Sequence, residues 1–248
     1  MPVETWLLLG GGAFVAGFVQ GLAGFGFGLV AMAFWSWTLP PSMAAPAVVF
    51  GSLIGQLLAV RSLRHGFSWR RLLPFLLGGL AGIPLGVALL RYVDPAAFRL
   101  GVGLVLLAYC PAMLLAAELP RIARGGRAAD AAVGWLGGAM SGFGGLPGPA
   151  PTLWCVLRGW PRDEQRAVFQ SFNLAMHAVT LASYGVAGLL TPQTVPVFSV
   201  VGAAVLIPAL AGVHLYRRFS DLVFRRLVLA LLTLSGIALV VAGARGFW

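Results

Sequence analysis

Six stretches of this chain run for about the depth of a bilayer core without one charged side chain: residues 43–60, 72–90, 100–117, 167–190, 195–213 and 227–244. A membrane-crossing helix needs about 20 predominantly apolar residues. Every backbone polar group in hydrocarbon must be satisfied within its own segment, which makes helices the natural solution. Composition agrees, because 59% of the 248 residues are hydrophobic and only 10% are charged, against about 25% charged in soluble domains. The chain reads as a polytopic, all-α membrane protein with no length left for a soluble domain.

The net charge of +10 comes from 17 basic residues, all arginine, against seven acidic ones. The arginines fall in short clusters between apolar runs, as the positive-inside rule describes, and not along a polar face, so no nucleic-acid partner is expected. Cys110 and Cys155 both lie in apolar stretches without ligand-like spacing. They read as packing residues, and no disulfide, metal site or cofactor is expected. The opening Met1-Pro2-Val3-Glu4 carries no basic residue, so the first segment is expected to belong to the structure and not to a cleaved signal peptide.

Two further apolar stretches, residues 6–33 and 131–157, are packed with glycine, and the second also holds Pro147, Pro149 and Pro151. Counted as simple spans they give eight crossings, with 8 arginines on one side and 9 on the other. If each instead enters the membrane and returns on the same side, six crossings remain. With both termini outside, 14 arginines then fall inside and 3 outside. The positive-inside rule favours this second arrangement in a multi-pass protein of the inner membrane. It places the loops around Arg64, Arg124, Arg162 and Arg218 in the cytoplasm. Irregular backbone at membrane depth is tolerated only where protein or a watery cavity covers it, so each re-entrant stretch points to a cavity.

The halves match at an offset of 121 residues. Gly21-Leu22-Ala23-Gly24 lies over Gly142-Phe143-Gly144-Gly145, Leu39-Pro40 over Trp160-Pro161, Ser52 over Asn173 and Gln56 over His177. Later the offset drifts to 127, pairing Asp94 with Asp221 and Arg99 with Arg226. Three crossings per half is an odd number, so the halves, 1–120 and 128–248, are expected to be inverted. Each would comprise a Gly-rich broken helix and three transmembrane helices, a recurrent plan of secondary transporters. The run GFVQGLAGFGFG and its second copy GGAMSGFGGLPGPAP resemble the sulfite exporter TauE/SafE family, as do the length, the doubled architecture and the short basic loops. The resemblance implies a membrane transporter moving sulfite, sulfoacetate or another small sulfur-containing anion, usually outward. It implies a class of substrate and not one molecule.

Backbone N–H groups exposed by Gly21, Gly24, Gly26 and Gly28, and by Gly142, Gly144, Gly145 and Gly148, would make an anion site at broken-helix ends. Pro149 or Pro151 suits the first turn of a following helix. The bland reading is close helix packing through small residues. In residues 167–190, Gln170, Asn173, His177, Thr180 and Tyr184 line one helix face, and the matching helix carries Ser52 and Gln56. These polar side chains read either as a cavity wall or as interhelical glue. His177 can bind an anion when protonated or pass a proton, which raises proton coupling. The arginine clusters read as topology signals and lipid anchors, with Arg162 and Arg166 near the second re-entrant mouth. Trp35, Trp37, Trp69, Trp160 and Trp248 read as an interfacial belt.

Three rival functions stay open at this point, one of them a membrane assembly factor that transports nothing. A channel or a cation or metal transporter would want acidic residues within spans, and none of the seven lies at a span centre. An intramembrane serine hydrolase would need Ser141 to meet His177. However, Ala139-Met140-Ser141-Gly142 matches no Gly-x-Ser-x-Gly elbow, and the chain does not read as an enzyme. Substrate, direction, coupling ion and oligomeric state are not legible.

Overall fold

The computed structural model describes residues 1–23, 26–59, 67–116, 121–122, 125–215 and 221–246. The expectations for Gly24, Trp248 and the loops around Arg64, Arg124 and Arg218 lie outside these residues. The described residues form ten helices and no strand: α1 Val3–Ala23, α2 Phe27–Thr38, α3 Pro41–Ala59, α4 Trp69–Tyr92, α5 Pro95–Leu114, α6 Gly126–Gly144, α7 Pro149–Leu157, α8 Arg162–Val186, α9 Thr194–Leu215 and α10 Asp221–Arg245. Six of them are long and apolar enough to cross a membrane: α1, α3, α4, α5, α9 and α10.

That set differs from the sequence expectation by one exchange, α1 for α8. The 25-residue α8 is about 37 Å long, but its first turn carries Asp163 and Glu164 and its inner face carries the polar stripe. In α1 the Gly-rich stretch stays helical through Ala23, because glycine weakens a helix by only about 1 kcal/mol and the close packing described below offsets that cost.

The helix order repeats. A long helix, a short one and three long ones, α1–α5, are followed by the same series, α6–α10. Packing follows a reciprocal pattern. The helices α6 and α4 run parallel, with Gly134 against Phe75, Gly138 against Gly79 and Gly142 against Ile83 and Gly86. The helices α1 and α9 also run parallel, with Gly17 against Val205 and Gly21 against Ala209 and Gly212. Small residues one turn apart let backbones touch, the usual basis of helix association where hydrophobic burial gives no drive. The helices α5 and α10 instead run antiparallel, since Gly103 meets Val240 while Gly243 meets Leu100 and Ala96.

Each short helix folds back on its predecessor. In the α6–α7 hairpin the Trp154 indole donates to Asp130 at 2.7 Å, and the Ile122 amide donates to the Leu157 carbonyl at 2.8 Å. Entry and exit of this hairpin are therefore side by side. In the α1–α2 hairpin, Gly12 lies under the Trp35 indole and Gly26 beside Val19, so α2 returns along most of α1. Trp35 is fully buried and meets Phe27 edge-to-face at 6.0 Å. It is a core residue and not part of an interfacial belt, whereas Trp37 and Trp69 are exposed.

The helices α4 and α8 run side by side in the same direction. At their start the Arg71 guanidinium lies 4.6 Å over Trp160 and pairs with Glu164. At their far end Arg91 donates to the Ala187 carbonyl. Cys110 and Cys155 are free and buried, as expected of packing residues.

A cavity where two helix breaks meet

The tips of the two hairpins touch. Gly26, with φ of 97°, starts α2, and Gly145, with φ of 67°, ends α6. Both are left-handed conformations that only glycine adopts without strain. A Cβ on Gly28 would stand 2.9 Å from the Gly145 carbonyl oxygen, and one on Gly145 would stand 2.8 Å from a Val48 methyl. Gly28 thus lies against the Gly145 backbone and Gly145 against the Val48 and Val49 side chains, with no room for a Cβ at either position.

Around the junction lies a cavity with about 30 Å³ of free space. One water needs roughly 10–15 Å³ on this scale, so there is room for about two. Its wall brings together Gly26 and Gly28 of α2, Ser52 and Gln56 of α3, Gly145 and Gly148 of the second tip, and Asn173 and His177 of α8. Residues 121 positions apart in the chain, Ser52 with Asn173 and Gln56 with His177, thus face one space. Ser52, Gln56, Asn173 and His177 are all buried, and a Cβ at Gly148 would lie 3.1 Å from the Asn173 amide nitrogen.

Other residues picked out in the sequence go elsewhere. Gly21 and Gly142 serve the α1–α9 and α6–α4 contacts, where a side chain would strike backbone. Their place in a Gly-rich motif does not distinguish a turn from a packing site; the neighbouring helix does. Gly144 is buried outside the cavity wall, and Gln170 is fully buried one turn away from it. The polar stripe of α8 splits in two. Thr180 meets Ser141 hydroxyl to hydroxyl at 2.8 Å, and the Tyr184 hydroxyl donates to the Gly142 carbonyl at 2.8 Å. That half holds α8 to the end of α6, while the half with Asn173 and His177 faces the cavity. The partner of the Ser141 hydroxyl is thus Thr180, while the His177 Nε2 lies 3.4 Å from the Gly145 carbonyl.

Two polar wall residues lie outside the motifs legible in the sequence, Gln20 of α1 and Tyr109 of α5. The signal was present, since an amide and a phenol inside otherwise apolar runs are costly in hydrocarbon unless they meet a cavity or a partner. The Gln20 Nε2 donates to the Ser52 carbonyl at 3.0 Å, which fixes the orientation of the amide. The Gln20 Oε1, Ser52 Oγ and Asn173 Oδ1 atoms are buried without a hydrogen-bond partner. Buried polar atoms are nearly always paired, and the residues of these three unpaired ones line one cavity.

The two helix starts differ in the free N–H groups they offer. At α2 the amides of Phe27, Gly28 and Leu29 have no acceptor within the helix, since the first intrahelical bond runs from Val30 to Gly26. At α7, Pro149 and Pro151 have no N–H to offer. The positive end at the cavity belongs chiefly to α2. Among the described residues no carboxylate lines the cavity, and no group of three or more His, Cys, Asp or Glu could hold a metal ion.

A family model described as Sulfite exporter TauE/SafE matches residues 9–239. The chain belongs to the sulfite exporter TauE/SafE family. Comparison with curated proteins and with solved structures gives no match. TauE/SafE proteins are membrane transporters, and the six apolar helices fit a multi-pass member. The match spans both five-helix series and both hairpins, so the cavity lies well within the TauE/SafE region.

Proposed function

We propose that this protein is a secondary transporter that exports a small anion, a sulfur oxyanion or organosulfonate of the sulfite or sulfoacetate kind, across the inner membrane. The observation that carries the reading is the convergence at one buried cavity of a helix start rich in free N–H groups with Ser52, Gln56, Asn173 and His177. The anion would be held by the amides of residues 27–29 and by side-chain donors, with no full positive charge beside it. A fixed buried cation binds an anion tightly and is costly to keep in hydrocarbon. Dipoles and amides give a weaker hold, which suits a carrier that must also release.

The two halves would be inverted repeats with their hairpins entering from opposite faces. Support comes from α5 and α10, which hold matching places in the two series and run antiparallel, as an axis in the membrane plane demands. Further support comes from the tip-to-tip meeting of the hairpins. The cavity is small and only partly enclosed. Rocking the α1–α9 unit against the α4–α6 unit would open it to either side. His177 is the titratable side chain best placed to couple proton movement to that cycle.

Proteoliposomes loaded with sulfite, sulfoacetate, sulfate or chloride test the proposal, with and without a pH gradient. Saturable flux of the sulfur anions, with chloride inert, is the expected result. Flux of cations, or none of any anion from folded protein, would overturn it.

A further inference from the structure

Arginine is scarce at the Arg91 end of α4, against fourteen in the four clusters assigned to the opposite side. Arg91 forms the rim of an open groove of about 800 Å³ between α4 and α8, within the roughly 300–1,000 Å³ span of small-molecule sites. The groove starts at Pro84 and is floored by small side chains, Ala88, Ala178, Ala182 and Ser183. From Pro84 to Arg91 it descends about 10 Å at the α-helical rise, the depth of the upper part of one leaflet. Tyr92 and Val186 flank the mouth at 87% and 92% exposure.

Arg91 is anchored there by its bond to the Ala187 carbonyl, and the ion pair of the described residues, Arg71 with Glu164, lies at the other end of α4. The guanidinium has five N–H donors, so one backbone contact fixes its place and leaves donors for a second acceptor. We propose that this groove is a binding site for an anionic phospholipid, with an acyl chain along the Pro84–Ala88 and Ala178–Ala182 floor and the phosphate on Arg91. A surface facing hydrocarbon must be filled by hydrocarbon, and the charge complementarity at the rim selects the headgroup. Arginine pairs with phosphate bidentately, and the Ser183 hydroxyl, now bonded to the Val179 carbonyl at 2.8 Å, lies on the same wall.

The test uses the full chain in detergent micelles doped with phosphatidylglycerol or phosphatidylcholine, counting retained lipid by native mass spectrometry. One tightly held phosphatidylglycerol per chain is expected, with phosphatidylcholine held more weakly. Arg91→Gln should weaken phosphatidylglycerol about tenfold or more, the scale of a charged hydrogen bond. Arg91→Lys should keep the preference for the anionic lipid, and Ala182→Trp should expel both lipids. Equal retention of the two lipids by the wild type overturns the proposal. So does an unchanged preference in Arg91→Gln, or a dimer that buries Val186 and Tyr92 in place of lipid. If Ala182→Trp fails to fold, the two Arg91 variants decide.

Discussion

Asn173 and His177 face the cavity, whereas Thr180 and Tyr184, one and two turns further along α8, bind the end of α6. The two pairs should therefore respond differently to mutation. A hydrogen bond to a charged group contributes about 1.5–3 kcal/mol, so Asn173→Ala or His177→Ala should weaken anion binding about 10- to 150-fold with little change in melting temperature. Binding titration on purified protein checks this. Tyr184→Phe should do the reverse, lowering stability by about 0.5–1.5 kcal/mol and leaving the dissociation constant unchanged. Gly28→Val is expected to abolish transport, because even its Cβ would stand 2.9 Å from the Gly145 carbonyl and its bulk would enter the cavity. Gln20 is not legible as a wall residue in the sequence, because it sits in a Gly-rich run between Gly17 and Gly21. Its partner is the carbonyl of Ser52, 32 residues away, and no spacing rule reaches that far.

At the scale of elements, glycine is the residue whose meaning is least legible. Gly21 and Gly145 lie in matched runs of the two halves. Yet Gly21 packs α1 on α9, while Gly145 turns the chain at φ of 67°. Small residues serve both purposes, and the local sequence looks the same for each. The α4–α6 contact gives a direct prediction. Gly138 sits backbone to backbone against Gly79, so Gly138→Leu should separate the helices and yield protein that aggregates on size exclusion. Gly126→Ala, where a Cβ meets nothing within 4 Å but φ is 58°, should cost only about the 1–2 kcal/mol of a left-handed non-glycine residue and leave the protein monodisperse. The sequence-level exchange of α1 for α8 among apolar spans has a similar origin. Hydropathy counts side chains, and α8 keeps its polar face turned to partners where no lipid meets it.

For the whole molecule, the proposed topology and the packing make linked predictions. With both termini outside, a cysteine placed at position 162 should be labelled by a membrane-impermeant reagent only after the cell is permeabilised. Labelling in intact cells would remove the inverted re-entrant arrangement. The Arg71 end of α4 and the Glu164 end of α8 share one side through their ion pair, so cysteines placed at positions 71 and 164 should crosslink there and share the same accessibility.

The membrane environment, the all-α fold and the approximate number of spans were determined by the sequence alone. Long uncharged windows, arginine clusters and repeated glycine runs are local properties that hydrocarbon and the positive-inside bias act on directly. Ser52, Gln56, Asn173 and His177 were legible for the same reason, since a polar group in an apolar run must find a cavity or a partner. Which of those two each group finds was decided only by the tertiary structure. The parting of the α8 stripe into glue and wall, the arrival of Gln20 and Tyr109, and the withdrawal of Gly21 and Gly142 depend on which backbones touch. Those contacts join residues as far apart as Gln20 and Gly212, and close packing rather than local spacing selects them.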